Sequence, residues 1–216
     1  MSSLVNRMGF YSAVTITCLV VFIDVGMIAS NLLYPITTIT SIEAYAAQFS
    51  PIQMLPFVPS LILAPIFVIL ISCIYHAATE EKKILGQLGF AFAVVCAAIL
   101  SLHYYIQLTI VQQGLISGDL AGLWQFATPN PNSLFWTFAA LGYGFMGFAL
   151  LSVASIFSEK TDRPIKWLFV ANGLVGVAFL VGNALGIFAV NVLASFIWGV
   201  LFPIATILLA KRFRAK

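Results

Sequence analysis

The sequence predicts an all-α fold, a polytopic membrane bundle of six transmembrane helices with the N- and C-termini cytoplasmic. Three observations predict it. The chain has 216 residues, of which 62% are hydrophobic and only 8% charged, whereas a soluble domain carries about 25% charged residues. Six apolar runs lie at 10–34, 54–77, 86–111, 133–157, 166–187 and 190–210. Each is long enough for a hydrocarbon core about 30 Å thick, which takes about 20 helical residues. All ten Lys and Arg residues fall on one face of this topology.

The basic residues justify both the count and the orientation. Arg7 precedes the first run, Lys82 and Lys83 separate the second from the third, and Lys160, Arg163 and Lys166 stand between the fourth and fifth. Lys211, Arg212, Arg214 and Lys216 follow the sixth. The positive-inside rule places these segments in the cytoplasm, and a missed or extra span would scramble the segregation. The length suits a single integral membrane domain, residues 1–216. The net charge of +3 is no nucleic-acid signal, because the basic residues are confined to helix ends. Cys18, Cys73 and Cys96 all lie inside apolar runs with no CxxC spacing. They read as small core hydrophobes rather than a disulfide framework.

The first run carries Asp24, in the stretch Thr17–Asn31. A carboxylate at membrane depth costs about 2.5–3.5 kcal/mol on insertion scales, so it faces the bundle interior or a wet cavity and has a partner. Thr17, Asp24 and Asn31 fall on one helical stripe. A signal peptide competes for this run: Arg7 and the apolar core fit one, but the run is long and lacks a small-x-small cleavage site. After Tyr34-Pro35, the spacing of Ile42, Tyr45, Ala46 and Phe49 predicts a short interfacial helix on the outer leaflet, with an irregular loop as the alternative.

The second run opens with Pro51, Pro56 and Pro59 and holds Pro65, which predicts a kink. The third places Gly89, Ala93, Ala97 and Ser101 at every fourth residue, a predicted packing face. His103 and Gln107 are expected on a different, polar side. Tyr104 and Tyr105 are expected in the interfacial aromatic belt. The connection from Gln112 to Asn132 is the longest, and is expected to serve as a lid over an outward cavity or merely as a link. Asn132 or Ser133 is expected to cap the fourth span. Trp136, Ala140, Tyr143 and Gly147 share a stripe on span four, as do Asn172, Gly176, Phe179, Asn183 and Gly186 on span five. Gly182 and Gly186 form a GxxxG predicted to pack on span six. That last span carries Asn191, Ser195, Trp198 and Phe202 on one stripe, and no internal repeat is found.

These polar stripes lie at compatible depths. They point to an outward-opening polar pocket with Asp24 and His103 as its titratable pair, a combination suited to proton-coupled solute movement or to acid–base chemistry. The ligand-binding or proton-coupling candidates are Asp24, His103, Gln107, Asn31, Asn183, Tyr143 and Trp198. The competing reading makes each polar group a hydrogen-bonding glue between helices. Sharper chemistries are set aside. His76 and His103 lie at opposite faces and cannot share a haem. No set of His and acidic residues suits a zinc hydrolase. No span contains a lysine for a Schiff base, and no P-loop, GxSxG or HExxH occurs. No catalytic residue, metal or cofactor is expected, and the expected partners are membrane lipid and a small-molecule ligand.

Leu141-Gly-Tyr143, the apolar span around Gly173, and Trp198-Gly-Val-Leu-Phe-Pro203 through Lys211-Arg212-Phe213 resemble uncharacterised small six-span membrane proteins of prokaryotes. His103-Tyr-Tyr-Ile-Gln107 and Asn130-Pro131-Asn132 are similar to the same group. The resemblance covers about half the chain and implies a prokaryotic cytoplasmic membrane, with no role for any residue. The expected function is binding or transport of a small solute. The alternatives are an intramembrane enzyme acting on a lipid, and a structural or partner-binding subunit without a site.

Overall fold

The computed structural model describes residues 3–34 and 39–215. In chain order the helices are α1 (Ser3–Leu33), a short α2 (Ile42–Gln48), α3 (Phe57–His76), and α4 (Lys83–Ile106). A π turn at Gln107–Val111 joins α4 to α5 (Gln112–Ser117), and α6 (Leu134–Ala154), α7 (Arg163–Ala184) and α8 (Phe188–Arg214) complete the bundle. No strand occurs among the described residues. Six of these segments are long and apolar enough to cross a membrane, so the chain is a multi-pass membrane protein.

Each long helix packs on its chain neighbours, and α1 packs on α8, which closes a ring of six in chain order. The short connections α3–α4, α6–α7 and α7–α8 enforce antiparallel neighbours. The middle of the ring is filled by aromatic side chains, with Phe67 of α3 and Phe202 of α8 meeting across it at 6.1 Å. At one end Lys82 Nζ donates to the Ser155 carbonyl at 2.8 Å. There too, Arg212 Nε donates to the Asp162 carboxylate at 2.8 Å, with its guanidinium 5.0 Å from the Phe157 ring. Lys82, Arg212 and the helix ends carrying the other described basic residues thus gather at this basic end. Glu43 and Asp119 are the charged residues of the connections at the other end, called here the outer end.

Several helices run past their apolar runs. The first starts at Ser3, two turns before the apolar run, and the third persists through the π turn to Ser117. Hydropathy marks where lipid must be faced, whereas a helix ends where the backbone can turn. Here it turns at Gly118, whose φ of 77° is left-handed and easy for glycine. The short helix at 42–48 forms as expected, capped by Ser41 Oγ accepting from the Ala44 amide at 3.3 Å. Its Ile42 and Tyr45 are buried against the bundle.

Two packing expectations are corrected. On α4 one buried row runs through Gly86, Gly89, Ala93, Cys96, Leu100 and His103 and continues to Gln107, with Tyr104 buried beside these residues. The row alternates steps of three and four, so His103 and Gln107 lie on the packing face rather than on a separate polar side. A strict four-residue stripe drifts around the helix, because four residues exceed one turn of 3.6. The GxxxG also divides. A β-carbon on Gly182 would sit 2.7 Å from Val190 Cγ1, so Gly182 does pack on α8. Gly186 instead turns the chain, with φ of 70° and nothing within 4 Å of its β-position.

The closest helix approach is between α6 and α7. A β-carbon on Gly176 would lie 2.4 Å from the Tyr143 carbonyl oxygen, and one on Gly147 would lie 2.6 Å from that of Gly173. Glycine lets the two backbones touch, which is how membrane helices gain packing without a hydrophobic drive. Gly176→Ala is therefore expected to cost about 1–3 kcal/mol through overpacking, read as a fall in the thermal unfolding midpoint in detergent. Gly122→Asn, at an open left-handed position with φ of 73°, is expected to be near neutral in the same assay, since Asn tolerates that conformation.

Candidate functional site

Asp24 sits on the seam between α1 and α8. The seam runs antiparallel: Gly9 faces Phe213, Thr17 bonds Thr206 through hydroxyls 2.7 Å apart, and Asp24 faces Gly199. A β-carbon on Gly199 would lie 2.8 Å from Asp24 Oδ1 and 3.1 Å from Oδ2. Glycine at 199 therefore makes the notch that the carboxylate fills. Asp24 is half-buried, and among the described residues it makes no hydrogen bond or ion pair. It lies within electrostatic range of the Tyr143 hydroxyl on α6.

Tyr143 belongs to an aromatic column inside the ring. From the outer end inward, Phe188 meets Trp136 at 4.9 Å, Trp136 meets Phe179 at 6.4 Å, and Phe179 stacks on Tyr143 at 5.7 Å. Tyr143 then meets Trp198 edge-on at 5.1 Å, and Trp198 stacks on Phe202 at 5.2 Å. The Tyr143 hydroxyl pairs with that of Tyr104 at 2.9 Å, and the Ser60 hydroxyl stands beside Tyr104. Trp198 Nε1 is buried without a partner.

His103 lies on the other side of this pair. Its ring packs 4.6 Å from both Tyr104 and Phe135, and it is 1% exposed with Nε2 unpartnered. One turn on, Gln107 is equally buried. Its Nε2 donates to the Phe126 carbonyl at 3.0 Å, while its Oε1 has no partner. Gln107 also opens the π turn, a distortion often found at functional sites. Ser133 is the N-cap residue of α6, as expected by position, yet its Oγ makes no cap bond and is buried alone. Thr128 Oγ1 is likewise unpartnered, although its carbonyl accepts from Trp136 Nε1 at 3.0 Å.

A third polar site is a recess of about 200 Å³ at the outer end, where α6 begins and α7 turns into α8. Asn132, Thr137, Asn183, Phe188 and Asn191 line it. Asn191 is 1% exposed with Oδ1 unpartnered.

The structure thus brings Asp24, Tyr143 and Trp198 to one depth, joins His103 with Gln107, and sets Asn183 in the recess. No hydrogen bond or ion pair links Asp24 to His103 among the described residues, and the two tyrosines stand between their neighbourhoods. Asn31 joins none of these groups: it is exposed, and its Nδ2 donates to the Met27 carbonyl of its own helix at 2.8 Å. Thr17 is helix glue through Thr206. Sequence reasoning missed Gly199, whose part depends on the α1–α8 register, and misplaced Tyr104, which is 6% exposed and interior while Tyr105 is 59% exposed. The buried spacing from Leu100 to His103 and Gln107 was the available signal for a polar interior at that level.

Comparison of the chain with protein-family models, with curated proteins and with solved structures finds no match.

The Asp24–Gly199 contact makes a quantitative expectation. Gly199→Ala should cost about 1–3 kcal/mol by crowding the carboxylate. In an Asp24→Ala background most of that cost should vanish, giving a coupling of about 1 kcal/mol or more in a double-mutant cycle of unfolding free energies. Additive costs would mean that the two residues do not touch.

Proposed function

We propose that this protein binds, or carries across its membrane, a small solute through a polar pocket on the face opposite the basic loops, with Asp24 coupling the process to a proton. The supporting observation is the Asp24 carboxylate, lodged at membrane depth in the Gly199 notch with no bonding partner among the described residues. An acid that served only as glue would be bonded across the seam, as Thr17 is to Thr206. Because burying an unpaired acid is costly, such a residue marks a solute or proton pathway by default. In this reading the outer recess receives the solute. The aromatic column from Phe188 to Trp198 is the closed gate, and its Tyr143, paired with Tyr104, offers the proton a path, since each phenol both donates and accepts. His103 and Gln107 line the polar flank. The basic loops face the cytoplasm by the positive-inside rule, in the cytoplasmic membrane of a prokaryote.

The test uses a cysteine-free background carrying Asn183→Cys. A membrane-impermeant maleimide should label it in intact cells, from the side opposite the basic loops, and the transported solute should protect it. In liposomes with a trapped pH dye, that solute should drive proton movement in the wild type and not in Asp24→Asn. The Asp24→Asn protein should fold with an unchanged or higher unfolding midpoint, because it removes an unpaired charge. An inert Asn183→Cys, or unchanged coupling in Asp24→Asn, would overturn the reading.

A further inference from the structure

We infer that the outer recess is a binding site for a small, uncharged, multiply hydroxylated solute, a polyol or monosaccharide. This rests on the pocket reading above and names the chemistry that pocket recognises.

Three side-chain amides, those of Asn132, Asn183 and Asn191, line one recess. None of them makes a hydrogen bond among the described residues, and Asn191 is nearly sealed from solvent with its Oδ1 unpartnered. Buried polar groups in native proteins are almost always paired, and each exception needs a reason. Here the one exception, Asn191 Oδ1, meets a recess that the half-buried Asn183 and the exposed Asn132 also line. Thr137 Oγ1 donates to the Ser133 carbonyl at 3.2 Å, which leaves its lone pairs as further acceptors towards the recess. An amide offers two donors and one carbonyl acceptor, and a hydroxyl both donates and accepts. A ligand with several adjacent hydroxyls can therefore satisfy every one of these groups.

Other ligand classes fit less well. No charged side chain lines the recess among the described residues, so an anion or cation would be desolvated without a counter-charge. A purely apolar ligand would leave Asn191 Oδ1 unpaired, at a cost of about 1–3 kcal/mol. The recess is not wholly polar: the Phe188 ring forms one wall and offers an apolar surface to the carbon-bound face of a sugar. At about 200 Å³ it is smaller than a drug-sized pocket, which runs from about 300 Å³. Gly182 is part of the same design. A β-carbon there would come within 3.1 Å of Asn191 Oδ1, so glycine leaves room for that amide.

The experiment is equilibrium dialysis of the full chain in detergent with xylitol, mannitol and glucose, against gluconate and glycerol 3-phosphate as charged counterparts. At least one neutral probe should bind saturably and raise the unfolding midpoint, and the charged probes should not compete. Asn191→Leu should weaken binding about tenfold or more, the loss expected when a buried hydrogen-bonding group is removed from a site. Should Asn191→Leu fail to fold, Asn183→Leu, at a half-buried position, carries the same expectation. Charged probes binding as tightly, or no neutral probe binding, would overturn the inference. Labelling of Asn183→Cys separates the two failures. If that cysteine is labelled while no polyol binds, the pocket stands and its ligand class is wrong. If it is inert, the pocket reading has fallen and takes this inference with it.

Discussion

The fold depends on the seam where the first helix meets the last. Five of the six helix contacts in the ring join neighbours in the chain, and short connections secure three of those, α3–α4, α6–α7 and α7–α8. The α1–α8 contact has no such help, because nearly the whole sequence separates its partners. It closes by side-chain fit alone: Phe213 over Gly9, the Thr17–Thr206 hydroxyl pair, and Asp24 in the Gly199 notch. Glycine at both ends of this register lets the backbones approach, and one hydroxyl bond pins it between. Moving α8 by a residue would set a side chain where Gly199 now leaves space for a carboxylate.

That seam also sets the polarity of the interior. Below Asp24, towards the basic end, the ring is closed by the Thr17–Thr206 hydroxyl pair and by buried hydrocarbon and phenyl groups such as Phe67 and Phe202, with the Asn6 and Asn172 amide oxygens buried there without partners. Above it the interior changes character: Tyr104, Tyr143, His103, Gln107 and Trp198 bring polar atoms inward, several of them unpartnered. Unpartnered buried polar atoms occur in both halves among the described residues, with six of the eight in the outer one. In a bilayer an unsatisfied group costs several kcal/mol, so the concentration of such groups towards the outer end is the costliest feature of the interior. The close α6–α7 backbone contact at Gly147, Gly173 and Gly176 supplies a rigid wall beside that half.

The helices and their grouping were legible in the sequence because they follow from two one-dimensional patterns, apolar run length and the placement of Lys and Arg. What was not legible follows from register. Asp24 could be singled out as an expensive residue, yet Gly199 could not, since nothing in either span states which residue of α8 stands opposite residue 24. The same limit misplaced Tyr104: its neighbour Tyr105 faces outward as expected of an interfacial aromatic, and one residue of rotation, about 100°, turns Tyr104 inward to its partner Tyr143. The Gly182–Gly186 pair looked uniform, and only the left-handed φ of Gly186 divides it into a packing residue and a turn.

The π turn at Gln107–Val111 joins the loop beyond it to the interior. An extra residue in one helical turn rotates everything that follows by about a quarter turn. Gln107 stands at the start of that change, on the buried face set by Leu100 and His103. Its amide reaches across to the Phe126 carbonyl, which ties the connection after Ser117 to the top of α4. Leu123 packs inward, Asn130 Nδ2 holds the Trp124 carbonyl at 2.9 Å, and Trp136 holds the Thr128 carbonyl. The connection is thus bonded as a plug over the polar flank, while its buried Thr128 and Ser133 hydroxyls remain unpartnered beneath. Leu123 and Ala127 are buried in the same core, with Leu120, Trp124 and Phe126 packed against it, so apolar burial anchors the connection as firmly as these bonds, each worth about 1 kcal/mol. The asparagine recess beside it is framed by the same N-terminal turn of α6, through Asn132 and Thr137, so the connection and the recess share one wall.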